Sequence, residues 1–271
     1  MGITGTQIPV LSEHRSPIDL IPSAFCTATC DTQREQFMTK MSSVVVDRIR
    51  GFVDGQPTSS DVDQLELESS RRALRLLRER ITPEQMDELL AGDIEATDAA
   101  WRQWAADSDG SWKPSMVEFE VAGLSKQQFT EWWSTALDDL QGIVYPGFPE
   151  HYRFGWVQDP RGGNEKCYRV VEELGHVPFR MYCSFGPEWA PVAPTPGYET
   201  MMVGVGRLAD GTEVARFFNQ IKDTADGFAM KAAVYVVSAA PGVVVESHVE
   251  QLLVEWTRWI EMAFEKYDVA I

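Results

Sequence analysis

Few side chains in this sequence combine chemical capability with a spacing that suggests work. The four histidines are His14, His151, His176 and His248. His248 opens an apolar-patterned stretch that runs to the C-terminus, where a helix would lie over whatever the preceding strands enclose. An imidazole there titrates near neutrality and can serve as acid, base or metal ligand. Glu172 and Glu173 are adjacent in Tyr168-Arg-Val-Val-Glu-Glu-Leu174, a strand pattern, and successive strand residues point to opposite faces, so one of the two should turn inward. A carboxylate in an apolar cavity holds its proton more tightly than in water, which suits acid–base work; an edge salt bridge is the bland alternative. We take Glu173 and His248 as the candidate catalytic pair. Glu250 is set aside, because Ser247-His-Val-Glu250 reads as a capping box. His14 falls in an extended arm, His151 in the aromatic block Pro146–Trp156, and His176 in a turn after Gly175; none is assigned a role.

Positioning such groups requires a sheet and a covering helix, and the patterning supplies both. Residues 1–30 lack periodicity and read as an extended arm. Three- and four-residue apolar steps predict helices over Asp31–Phe52, Ser60–Arg80, a third from Thr82-Pro-Glu-Gln85 with Thr82 as cap, and a short fourth around Ala100, Trp101 and Trp104. After Ser108–Ser111 the period becomes two: Val117, Phe119 and Val121 alternate with Glu118 and Glu120. Leu124-Ser125 opens a helix with Phe129, Trp132 and Trp133. Strands follow at Tyr168–Glu173, Phe179–Phe185, Thr200–Arg207, Glu213–Lys222 and Ala229–Val237, with a hairpin at Ala209-Asp-Gly-Thr212. The last helix, Ser247 to Tyr267, carries Leu252, Leu253, Trp256 and Ile260 on its stripe. The predicted fold class is α+β. A helical region over 31–110 precedes a helix-grip cavity domain over 111–271, in which a curved antiparallel sheet encloses a cavity under a long C-terminal helix.

Composition narrows the function. A chain of 271 residues with 44% hydrophobic residues can bury a substantial core, and nine Trp and thirteen Phe supply bulky walls for a core or a ligand site. A net charge of −17 repels phosphate backbones and anionic lipid, which argues against nucleic-acid and membrane partners. Cys26, Cys30, Cys167 and Cys183 are too few for a disulfide framework, and a reduced, cytoplasmic protein is expected. No nucleophile elbow, phosphate loop or paired-cysteine metal motif is present; Gly204-Val-Gly206 leads into the hairpin, not into the helix a dinucleotide fingerprint needs.

Residues 115–271 resemble the Bet v 1-like (START/SRPBCC) helix-grip superfamily, and within it the 2,4-diacetylphloroglucinol hydrolase type. The similar stretches are Val117-Glu-Phe-Glu-Val-Ala-Gly123 with Trp132-Trp133, Glu150-His-Tyr-Arg-Phe-Gly-Trp156, Val170-Val-Glu-Glu-Leu-Gly175, and Asp226-Gly-Phe-Ala-Met-Lys231 with His248 and its helix. The resemblance implies carbon–carbon bond cleavage in acylated phenols by a bound zinc. Its ligands would be a His shortly after the Tyr-to-Trp block, a Glu on the following strand, and a His and Glu four apart at the start of the last helix. Glu172 or Glu173 and His248 match. Asp159-Pro-Arg161 stands in place of the first ligand, however, and Leu252 in place of the last. Catalytic zinc takes about three protein ligands, so two retained positions are too few. The expectation is therefore an enzyme of specialised metabolism with no metal or other cofactor. It would act on an apolar, oxygenated, polyketide- or phenol-like molecule by cyclisation, rearrangement or elimination, with Trp133, Tyr152 and Trp156 as cavity walls. One alternative is the zinc hydrolase, with its site rebuilt from Asp159, Glu173 and His248. The other is a non-catalytic carrier or sensor. The N-terminal helices could serve as a lid or as a homodimer contact.

Overall fold

The computed structural model describes residues 52–53, 56–57, 62–162 and 164–268. The chain divides into two compact units, Met1–Ser70 and Arg71–Ile271. The expected arm and nearly all of the expected Asp31–Phe52 helix lie outside the described residues. Phe52 itself begins a two-residue strand, Phe52–Val53, paired antiparallel with Gln56–Pro57.

Two long helices come first, α1 (Val62–Arg80) and α2 (Pro83–Asp107). The start of α2 follows the sequence: Thr82 Oγ1 accepts from Gln85 N at 3.2 Å, and Gln85 Oε1 accepts from Thr82 N at 2.8 Å, a closed capping box with Pro83 in the first turn. The two helices expected here are one. Gly92 lies in the interior, where a glycine costs about 1 kcal/mol against alanine; Ile94, Asp98 and Trp101 beyond it are buried on one face and hold the helix continuous.

The sheet has seven strands: β1 (Trp112–Ala122), β2 (His151–Gln158), β3 (Lys166–Glu173), β4 (Pro178–Phe185), β5 (Glu199–Arg207), β6 (Glu213–Asp223) and β7 (Gly227–Val237). Their spatial order is β1-β7-β6-β5-β4-β3-β2 and every pairing is antiparallel, so the first strand lies against the last. Between β1 and β2 come α3 (Lys126–Ala136), capped by Ser125, and a π-helical turn, Leu140–Val144. Helix α4 (Gly242–Lys266) closes the chain. Helix α3 packs against both α4 and the sheet: Trp133 lies 4.7 Å from Trp256 of α4 between ring centroids, and Phe129 lies 4.9 Å from Phe228 of β7. An antiparallel seven-stranded sheet gripping a long C-terminal helix is the α+β helix-grip architecture expected from the sequence.

Helix α4 starts earlier than expected, behind Pro241, and the Ser247–Glu250 capping box does not form. Glu250 is exposed, whereas Ser247 is buried and its Oγ accepts from Gly175 N at 2.9 Å. That bond ties the β3–β4 turn beneath the start of α4. Gly175 has φ +72°, and a Cβ there would come within 3.0 Å of Val244 Cγ2. Among the described residues, no helix is long and apolar enough to cross a membrane.

Candidate functional site

A cavity of about 80 Å³ lies between α4 and the sheet. Trp133, Phe154, Tyr168 and Trp256 form apolar walls, and the lining reaches the surface at Phe185, which is exposed. The polar part of the lining comes mainly from one face of α4. His248, Gln251 and Glu255 lie at positions i, i+3 and i+7, spacings that stack side chains on one stripe of a helix. Glu172 of β3 faces them.

A residue the sequence left without a role completes the group. His151 is fully buried at the start of β2 and is the cross-strand partner of Glu172. Its Nδ1 lies 2.6 Å from the carbonyl oxygen of Val144, the end of the π-helical turn. A carbonyl only accepts, so Nδ1 carries the proton and donates. Nε2 lies 3.2 Å from Glu255 Oε2 and 3.8 Å from Glu172 Oε2. Gln251 Nε2 donates to Glu172 Oε2 at 2.8 Å. Trp259 seals this end: its Nε1 donates to Ile143 O at 3.0 Å, and a Cβ on Gly147 would come 2.3 Å from that nitrogen, so only glycine allows the approach.

Burial sets the electrostatics. It pushes the Glu172 carboxyl up to about 7 and the Glu255 carboxyl up to about 8, and it pulls the His248 imidazole down to about 4. His151 is also lowered, chiefly by burial. Burial thus favours the uncharged forms, a neutral His151 whose Nε2 accepts the proton of Glu255. Groups whose surroundings spread their pKa values across neutrality are suited to exchanging protons with a bound molecule.

The sequence-derived candidates fall on both sides of this boundary. Trp133 and His248 line the cavity. Glu173 does not: the inward carboxylate is Glu172, and Glu173 accepts a hydrogen bond from His176 N in the β3–β4 turn. Tyr152 is also outside, with its hydroxyl donating to Glu150 at 3.2 Å. Trp156 is half exposed beyond the cavity rim, 5.2 Å from Tyr168 between ring centroids, with Nε1 donating to Asp138 at 3.3 Å. Along β3 the alternation is regular, with Tyr168, Val170 and Glu172 on the cavity face, so Glu173 takes the other. On β2 the register against β3 shifts between His151 and Arg153, a bulge that turns both His151 and Phe154 inward and leaves Tyr152 outside.

The zinc site rebuilt from Asp159, Glu173 and His248 is not assembled. Asp159 is locked by Arg161, whose N and Nε each donate to Oδ1 at 2.9 Å, and this bonding holds its carboxyl at about 2. The helical pair that faces His151 and Glu172 is Gln251 and Glu255, not His248 and Leu252. His151, Glu172 and Glu255 are donor types that zinc accepts. As placed, however, they are engaged with one another and with Gln251. Among the described residues, no group of three or more His, Cys, Asp or Glu side chains is arranged to hold a metal ion, so the residues do not fit the implied zinc.

No family model matches the chain, and no curated protein matches it. Among solved structures it is similar to Ara h 8.0201, at 14% identity over 58% of this chain and 97% of that one, with a TM-score of 0.35. It is also similar to a protein of unknown function from Staphylococcus aureus, at 11% identity over 58% of this chain and 92% of that one, with a TM-score of 0.29. Likeness at this level carries no argument. The helix-grip architecture is seen in the strand order and the closing helix.

Proposed function

We propose that the cavity is an acid–base site for an apolar, oxygenated small molecule of polyketide or phenol type, acting without a metal in cyclisation, rearrangement or elimination. The observation that carries this reading is the buried group His151–Glu172–Glu255. Burial raises both of its carboxyls toward neutral pKa, and both line the cavity. In its ionised form Glu172 accepts a proton made acidic by a neighbouring carbonyl, and Glu255 with His151 holds a proton to return. A positioned acid or base of this kind contributes about 100- to 10,000-fold in rate.

The unpartnered atoms around the cavity support an oxygenated ligand. His248 Nδ1, Gln251 Oε1 and Trp256 Nε1 are buried without hydrogen-bond partners, and all three side chains line the cavity. A buried polar atom without a partner costs about 1–3 kcal/mol, and a ligand that supplies the missing partner recovers it. Gln251 is fixed in orientation because its Nε2 serves Glu172, which leaves Oε1 to accept from a hydroxyl; Trp256 Nε1 can only donate, as to a carbonyl oxygen. Drug-sized ligands occupy pockets of about 300–1,000 Å³, so a cavity of about 80 Å³ seats one ring or a short oxygenated head, with the rest of the molecule passing beside Phe185.

The test is turnover of a panel of acylphenols and linear polyketone mimics by the full chain, followed by mass spectrometry, with metal content measured on the same preparation. Product formation that survives a chelator, in protein without stoichiometric zinc, is the expected result. One zinc per chain together with loss of turnover on chelation overturns the metal-free reading and favours the hydrolase. Tight binding of the same compounds without turnover makes the protein a carrier.

A further inference from the structure

Two hollows outside the cavity are each ringed by three arginines, and their bonding differs. In one, each guanidinium has an aspartate: Arg169 reaches Asp87 at 2.8 Å, Arg180 reaches Asp98 at 2.7 Å, and Arg102 bonds Asp210. These are pairs that fasten α2 to the sheet and to the β5–β6 hairpin. The second hollow, of about 500 Å³, lies between the α1–α2 junction and the segment entering β2. It is lined by Arg78, Arg80 and Arg153 with Tyr145, Tyr152 and Gln141, and Glu79 is its one lining carboxylate.

Among the described residues, none of these three arginines forms an ion pair with a carboxylate, whereas Arg102, Arg161, Arg169, Arg180, Arg207, Arg216 and Arg258 each do. Arg78 donates to the backbone carbonyls of Tyr145, at 3.2 Å, and Pro149; Arg153 donates to that of Phe154 at 2.8 Å. The Nε of both Arg78 and Arg153 is buried with no partner, as it is in Arg169 and Arg180, so the difference between the hollows is the missing carboxylate. Carboxylates are not scarce, since the chain has 41 acidic residues against 24 basic ones. Arg78 and Arg153 are half-buried, with Arg80 exposed beside them, and a partly desolvated guanidinium without a carboxylate is costly until an opposite charge meets it. Burial also lowers the Arg78 pKa from its ordinary value.

We propose that this hollow binds a small multivalent oxyanion, the phosphate or carboxylate groups of a metabolite-sized molecule. Guanidiniums grip such groups through paired N–H donors, and the rings of Tyr145 and Tyr152 supply a face for the rest of the ligand. The site uses none of the cavity's acid–base residues and stands whether or not the cavity is catalytic.

The experiment is calorimetric titration of the full chain with inorganic pyrophosphate, and separately with citrate, at ionic strength matched with sodium chloride. Saturable binding at one site per chain is expected, and a preference between the two anions assigns the phosphate or the carboxylate source. Arg80→Gln and Arg153→Gln should each weaken binding about tenfold, the scale of one charge-assisted contact, with unchanged melting temperature. Arg78 also braces the Tyr145–Pro149 segment, so Arg78→Lys is read only if its melting curve matches the parent. Absence of saturable binding for both anions up to the ~1 mM range overturns the proposal, as does undiminished binding in the Arg80→Gln/Arg153→Gln double variant.

Discussion

Glu172 and Glu173 are consecutive residues of one strand, equally withdrawn from solvent at 5% and 4% exposure, yet their situations differ. Glu172 faces the cavity, opposite His151 and beneath Gln251 and Glu255. Glu173 ends the strand and serves the turn, accepting the amide of His176. The same strand repeats the contrast at Arg169, which faces away from the cavity and is paired with Asp87. Burial alone therefore does not mark a site. A carboxylate whose partners belong to the backbone of a turn or to an opposite charge is structural. One whose neighbours are other titratable groups around open space is available for chemistry.

The sharpest way to break this comparison is to substitute each carboxylate in turn. Glu172→Gln should lower turnover by about 100- to 10,000-fold with the fold intact, while Glu173→Gln stays within a few-fold of the parent. The reverse order in steady-state assays moves the chemistry to the other face of β3. The two sides of α4 offer the next test. Trp256 is buried in the aromatic cluster, and its replacement by alanine should cost about 3–5 kcal/mol in denaturant unfolding; Leu253→Ala, on the exposed side, should cost within about 0.5 kcal/mol. Equal losses would contradict the placement of the helix over the sheet.

The pH dependence separates the carboxylates from the histidines. Glu172 and Glu255 have folded pKa values raised above the ordinary 4.5, to about 7 and about 8, so the folded state binds the extra protons and their stability contribution is lost as pH rises through those values. His248 is lowered from 6.5 to about 4, so its contribution is lost in the opposite direction, as pH falls. Below about pH 6.5 the two effects oppose; between about 6.5 and 8 only the carboxylates titrate. Unfolding free energy should therefore fall by about 1–2 kcal/mol across that upper interval, and Glu255→Gln should flatten the slope. A slope identical to the parent's would place the ionisation elsewhere. The smallest expected effect belongs to the paired face of β3: Arg169→Ala should change stability by no more than about 1 kcal/mol and leave turnover unaltered, because ion pairs near the surface contribute little.

The Thr82–Gln85 capping box, the alternation of Val117, Phe119 and Val121, and the apolar stripe of α4 through Trp256 are local signals, readable because hydrogen bonds and periodicity act over a few residues. The same rule misplaces a box at Ser247–Glu250, where the helix begins a turn and more earlier. That one of Glu172 and Glu173 turns inward was likewise a local inference; which one does so was not. The answer depends on which face of β3 the closing helix covers, and that is set by packing between distant parts of the chain. His151 has no role legible in the sequence because its meaning comes from Glu255, 104 residues away, and from a carbonyl presented by a π-helical turn. Gln251 and Glu255 were hidden by the early start of α4 and by their polar character on a stripe read for apolar residues. Sequence periodicity determined most of the elements and the architecture in which a cavity forms, though not the strand His151–Gln158. Only tertiary packing decided which titratable groups share that cavity, because their convergence is set by strand register and helix rotation across most of the chain.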